Sequence, residues 1–171
     1  MALGTRWEVA WNNRPREEAA LLNPAFSGEL IFRATHEYVR AKEAPFSLPL
    51  AFLVLPLVLH SATRQRLPKK ANAAMAGWMA ENGPALALVA NRTLQLRPIS
   101  REAMMFLIRV GALVISEEGV AVGERPLRPA ARAAATTPET DAMRRSAALV
   151  GRWFAQQPSP GSVLQAMGVE P

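Results

Sequence analysis

The chain has 171 residues with a hydrophobic share of 50%. That is enough for one sizeable core, since a globule near this size buries about two thirds of the surface its unfolded chain exposes, and it excludes intrinsic disorder. Cysteine is absent, which removes disulfides, thiolate zinc sites, iron–sulfur clusters and cysteine nucleophiles. The formal net charge of +6 lies wholly in residues 61–110, because the flanking stretches each balance six basic against six acidic side chains. There Arg64, Arg66, Lys69, Lys70, Arg92, Arg97, Arg101 and Arg109 face only Glu81 and Glu102. A field so local steers a phosphate backbone or an acidic protein surface. Arg64, Arg66, Lys69, Lys70, Arg97 and Arg101 are its candidate contacts.

The amino-terminal run MALGTRWEVAWNNRP has an early acid and no apolar core, so no secretory signal is expected and the expected compartment is the cytoplasm. Pro15–Leu22 reads as a short helix with Glu17 and Glu18 in its first turn. Asn23 is the candidate N-cap of a longer helix that reaches Lys42. On it Leu30, Ala34, Tyr38 and Ala41 form the inward stripe, and Arg33 pairs with Glu37.

From Ala44 to Thr63 no side chain carries a formal charge. Pro45, Pro49 and Pro56 interrupt the run, and its apolar part, Phe46–Leu59, rises only about 21 Å as a helix. That falls short of the roughly 30 Å hydrocarbon core of a bilayer. The expectation is a buried central helix kinked at Pro56. A basic stretch and a short helix over Ala71–Ala80 follow, with a stop at Glu81-Asn82-Gly83-Pro84. A further helix is expected from Pro84 to about Leu96.

Ser100 then caps a helix over 101–110 that Gly111 ends. The β-prone runs Ala112–Ile115 and Val120–Gly123 flank a Glu117-Glu118-Gly119 turn. A helix feeding a tight hairpin gives a winged-helix-like element around residues 84–123. Residues 124–137 form a Pro/Ala/Arg-rich connector. Thr137 caps a helix whose stripe is Met143, Ala147, Val150 and Phe154, and a last short helix spans Gly161–Met167. The fold class is mainly α with a small β-hairpin (α+β). Residues 1–123 form a helical domain ending in that hairpin, 124–137 link it onward, and the helices of 138–171 pack on the same core.

No catalytic constellation emerges. There is neither a phosphate-binding loop nor a dinucleotide fingerprint. His36-Glu37 lacks the second histidine of a zinc-protease helix, and His36 and His60 are the only histidines. Ser27 lacks a nucleophile-elbow context. No catalytic, cofactor-binding or metal-ligating residue is therefore assigned, and no cofactor is expected. The chain is instead rich in interface chemistry. Trp7, Trp11 and Arg14 near one end, with Arg152 and Trp153 near the other, are of the types that dominate binding energy when centrally buried. Core packing is the competing role for Trp153 and Phe154.

The segments WNNRPREEAALLNPAFSGELI, PFSLPLAFLVLPLVLHSATRQRLP, ISREAMMFLIRVGALVI and VGRWFAQQPSPGSVLQAMGVEP resemble the middle components of bacterial three-component ABC systems. Asn23–Phe26, Leu55–His60 and Gly151–Phe154 carry most of the resemblance. It implies a non-enzymatic adaptor between an SMC/Rad50-like ATPase and an effector in anti-phage or anti-plasmid defence, with no catalytic residues to transfer. Weak non-specific DNA contact, no membrane and no small-molecule substrate are expected. The competing reading is a winged-helix DNA-binding transcriptional regulator, but a helix 101–110 that is mostly apolar and an acidic hairpin tip suit base and phosphate contact poorly.

Overall fold

The computed structural model describes residues 13–128 and 136–169. Eight helices and one hairpin follow in order: α1 (Arg16–Leu21), α2 (Pro24–Lys42), α3 (Leu48–Leu59), α4 (Ser61–Gln65), α5 (Met75–Leu86), α6 (Val89–Arg109), β1 (Leu113–Ser116), β2 (Gly119–Val122), α7 (Pro138–Ala155) and α8 (Pro160–Ala166). The chain is thus mostly helical with a small two-stranded antiparallel sheet.

The centre is α3. Its side chains at Leu50, Ala51 and every position from Leu53 to Val58 are buried, because α2, α6, α7 and α8 surround it. A helix apolar on all sides has no solvent face to offer. Pro56 is accommodated inside it. Among the described residues no helix is long and apolar enough to cross a membrane.

Local chemistry sets the helix ends. The Asn23 side chain accepts the Ala25 N–H at 2.8 Å, and Pro24 occupies the first turn of α2, where its missing donor costs nothing. At the other end Glu43 takes φ +55°, and its N–H closes the helix on the Val39 carbonyl at 2.9 Å. Thr137 with Thr140, and Ser159 with Ser162, form reciprocal capping boxes at the starts of α7 and α8.

Helices α2 and α7 form the closest pair. A Cβ at Gly151 would run into the Ala34 backbone carbonyl, so the two helices meet backbone to backbone there. Arg144 grips Glu29 with two nitrogens, at 2.8 and 3.0 Å, and Arg152 reaches Glu37 at 2.8 Å. The stripe of Met143, Ala147, Val150 and Phe154 is buried as its spacing predicts.

Several local expectations are corrected. Gly83-Pro84 does not stop α5, which continues to Leu86, and Pro98 does not divide α6. An internal proline frees the carbonyl four residues earlier. Here those residues are Ala80 and Leu94, both exposed, where water can reach the freed groups. Ser100 is consequently a buried mid-helix residue and not a cap, and its hydroxyl has no hydrogen-bond partner among the described residues. Ala41 is exposed, because α2 runs past the core at its last turn. Arg33 pairs with Glu29 at 2.8 Å and not with Glu37, in the acid-first orientation that favours i,i+4 pairs.

Candidate functional site

The predicted contact residues are dispersed. Trp7 and Trp11 lie outside the described residues. Arg14 is buried, with Nη2 2.7 Å from Glu102 Oε2. Arg152, half-buried, is held by Glu37. Trp153 is wholly interior: its indole N–H donates to the Ala73 carbonyl at 2.8 Å, and Phe154 packs beside it with ring centroids 5.7 Å apart. Arg14 and Trp153 therefore serve the fold and do not form a free binding face. The reason for Trp153 is spacing, since it flanks the inward stripe of α7 one residue from Phe154.

The basic stretch also splits. Arg64 is buried, donates to the Val58 carbonyl at 2.7 Å and pairs with Glu139. It thereby satisfies a carbonyl freed at the end of α3 and is not available to a partner. Arg92 donates to the Thr63 hydroxyl at 2.7 Å. Arg66, Lys69, Lys70, Arg97 and Arg101 are exposed, and among the described residues none of them makes an ion pair.

Acid–base chemistry finds no centre in this arrangement. Burial pushes the Glu29 carboxyl upward, but hydrogen bonds from Arg144 and Arg33 outweigh it and hold the group below its ordinary value. Burial likewise pushes Glu37 upward, but the hydrogen bond from Arg152 and the charges of Arg40 and Arg152 outweigh it and hold the group below its ordinary value. Both carboxylates stay ionised and paired, which suits helix clamps. Partial burial, and then the charges of Arg92 and Arg64, push His60 down. As a neutral ring, His60 accepts the Thr63 N–H at 3.2 Å and caps α4. Ser27 is buried while His36, on the same helix, is exposed, so the two form no dyad. Among the described residues no cluster of His, Cys, Asp and Glu suits a metal ion.

What the structure does gather is exposed apolar surface. The described large hydrophobics left open to solvent are Leu88, Leu94, Met105, Ile108, Val110, Val114 and Ile115. All fall on α6, beside it, or on β1. Five of them, Leu94, Ile108, Val110, Val114 and Ile115, line two separate grooves. One, of about 290 Å³, lies between α3 and α6, with Leu48, Phe52, Leu94 and Arg97 on its walls. The other, of about 780 Å³, lies where α6 meets the hairpin, lined by Ile108, Val110, Val114 and Ile115 between Arg109 and Arg125. The sequence signal was present in the three-residue spacing of Met105 and Ile108 and in a β-branched pair, Val114-Ile115, that does not alternate with polar residues.

Comparison with curated proteins and with solved structures gives no match. The family model for Middle Component 3 of ABC-three component (ABC-3C) systems matches residues 11–171, so the chain belongs to that family.

Proposed function

We propose that this protein is the adaptor of a bacterial three-component defence complex, working in the cytoplasm and coupling an SMC/Rad50-like ATPase to an effector. The observation that carries the reading is the α3–α6 groove. There Leu94, 68% exposed, stands one turn before Arg97 and two turns before Arg101, and neither arginine has an acidic partner among the described residues. An apolar residue next to unpaired guanidinium groups suits a protein surface that is itself apolar and acidic. Trp7 and Trp11 precede the helical body and are proposed as a second contact. The order α6–β1–β2 is that of a winged-helix element, read here as facing protein. Its exposed face mixes leucine, methionine and isoleucine with arginine, and its tip is Glu117-Glu118. Residues 1–123, the connector and the C-terminal helices are proposed to act as one body in the complex.

The test is co-purification with the ATPase encoded beside this gene, with nucleotide and DNA present. Wild-type protein should associate at micromolar concentrations or tighter. Arg97→Glu with Arg101→Glu should weaken association by about 2 kcal/mol, and Trp11→Ala by a similar amount, with unchanged melting midpoints. Absence of wild-type association ends the adaptor reading. Salt-resistant binding to one duplex sequence, tighter than about 10⁻⁸ M, would favour a regulator instead.

A further inference from the structure

The hairpin has one covered edge and one open edge. Phe46 and Val120 exchange both backbone hydrogen bonds, each at 2.8 Å, so the polar backbone of Val120 points away from β1. In an antiparallel ladder the bonding direction alternates along each strand. Val114, opposite Ala121, and Ser116, opposite Gly119, therefore bond inward to β2. Ala112 does so too, accepting the Gly123 N–H at 2.8 Å. The N–H and C=O groups of Leu113 and Ile115 are left pointing outward, and among the described residues no strand pairs with them. Proteins usually blunt such an edge with charge, proline or a bulge. This one carries Val114, 50% exposed, and Ile115, 42% exposed.

The charges at its two ends say what fits there. At the Leu113 end stand Arg109 and Arg125, both exposed, with the Arg125 stem lying over Gly111. Glu124 offsets one of them. At the Ser116 end stand Glu117 and Glu118, both exposed. The edge is thus apolar in its middle, cationic at one end and anionic at the other.

We propose that β1 pairs with β1 of a second copy of this chain, forming a two-fold symmetric dimer through a continuous four-stranded antiparallel sheet. Antiparallel pairing about a two-fold axis sets the cationic end of each copy against the anionic end of the other. The pattern is self-complementary, as a closed isologous interface requires. With the axis at Val114, Leu113 of each copy faces Ile115 of the other, and all the outward backbone groups find partners. The two Val114 side chains meet across the axis, and the groove beside Ile108 and Val110 closes over apolar surface. This goes beyond the adaptor reading and does not depend on it.

The experiment is sedimentation velocity on the full chain alone across the micromolar range, with three variants. Wild type should be dimeric. E117R/E118R puts cations against Arg109 and Arg125, and R109E/R125E puts anions against Glu117 and Glu118. Each should raise the dimer dissociation constant about a hundredfold, with a normal melting midpoint. An equimolar mixture of the two should dimerise again, because both of its contacts are then between opposite charges. Should either charge variant fail to fold, Val114→Lys supplies the readout and should be monomeric. A wild-type monomer throughout the range overturns the proposal, including one whose β1 edge becomes protected only with the ATPase. A dimer indifferent to the variants, or a mixture no better than its components, overturns it as well.

Discussion

The indole of Trp153 stands edge-on to that of Trp78, with ring centroids 4.8 Å apart and planes 75° apart. Both indole N–H groups donate to backbone carbonyls of the segment between α4 and α5, Trp153 to Ala73 at 2.8 Å and Trp78 to Arg66 at 2.6 Å. The pair thus ties α7 and α5 to a stretch that has little secondary structure of its own. Trp153→Ala should cost about 3–5 kcal/mol through the cavity left behind. Trp153→Phe should cost about 1–3 kcal/mol, since it leaves the Ala73 carbonyl without its indole donor. Urea unfolding of the two variants measures both, and an unchanged midpoint for Trp153→Ala would refute the interior placement.

Gly119 carries the covered edge of the hairpin. Its φ is +136°, and a Cβ there would lie 2.6 Å from the Phe46 carbonyl oxygen. Gly119→Ala should destabilise by about 2 kcal/mol or more, from backbone strain and loss of the Phe46–Val120 pairing. Hydrogen exchange should show the Val120 amide losing protection before the amides of α2 and α7.

Glu43 is the described non-glycine residue at positive φ, and it ends α2. Glycine takes this conformation without a Cβ penalty. Glu43→Gly should therefore stabilise by about 1 kcal/mol, seen as a rise of a few degrees in melting temperature. Glu43→Val should do the reverse.

Acid should weaken the fold in two stages. His60 lies below its ordinary 6.5 when folded, after partial burial and the Arg92 and Arg64 charges. Glu29 and Glu37 lie below 4.5, held there by arginine against the effect of burial. Each group binds fewer protons folded than unfolded. Its stabilisation is whole above the unfolded value and is lost as pH falls through the folded one. Melting temperature should decline modestly below pH 6.5 and more steeply below 4.5. His60→Asn should flatten the first stage alone, and Arg144→Gln should reduce the second.

Patterns confined to one element were legible in the sequence. The apolar run of α3, the stripe of α7, the Asn23 and Thr137 caps and the two β-prone runs each report local periodicity or local hydrogen bonding. Features that depend on distant segments were not. Pro84 and Pro98 look like breaks until the residues four earlier, Ala80 and Leu94, prove to be exposed. Ser100 looks like a cap until α6 runs through it. Arg64 reads as a free cation until Glu139 and the end of α3 meet it. The candidate surface was half legible. Its residue types were visible, but its open edge follows from Phe46 covering the opposite edge, a pairing between residues far apart in the chain.

The side chains of α7 that enter the core, together with Arg144, Arg152 and the Arg64–Glu139 pair, hold the C-terminal helices to the rest of the molecule by contact. Covalent continuity through the connector adds only the entropy of keeping two pieces near one another, which grows slowly with loop length. The protein should accordingly survive being made as two polypeptides. Residues 1–128 and 136–171, expressed together, should assemble into a 1:1 complex with the helical circular dichroism of the intact chain. Gly151→Ala in the shorter piece should prevent that assembly, because the backbone of α2 leaves no room for the added methyl group.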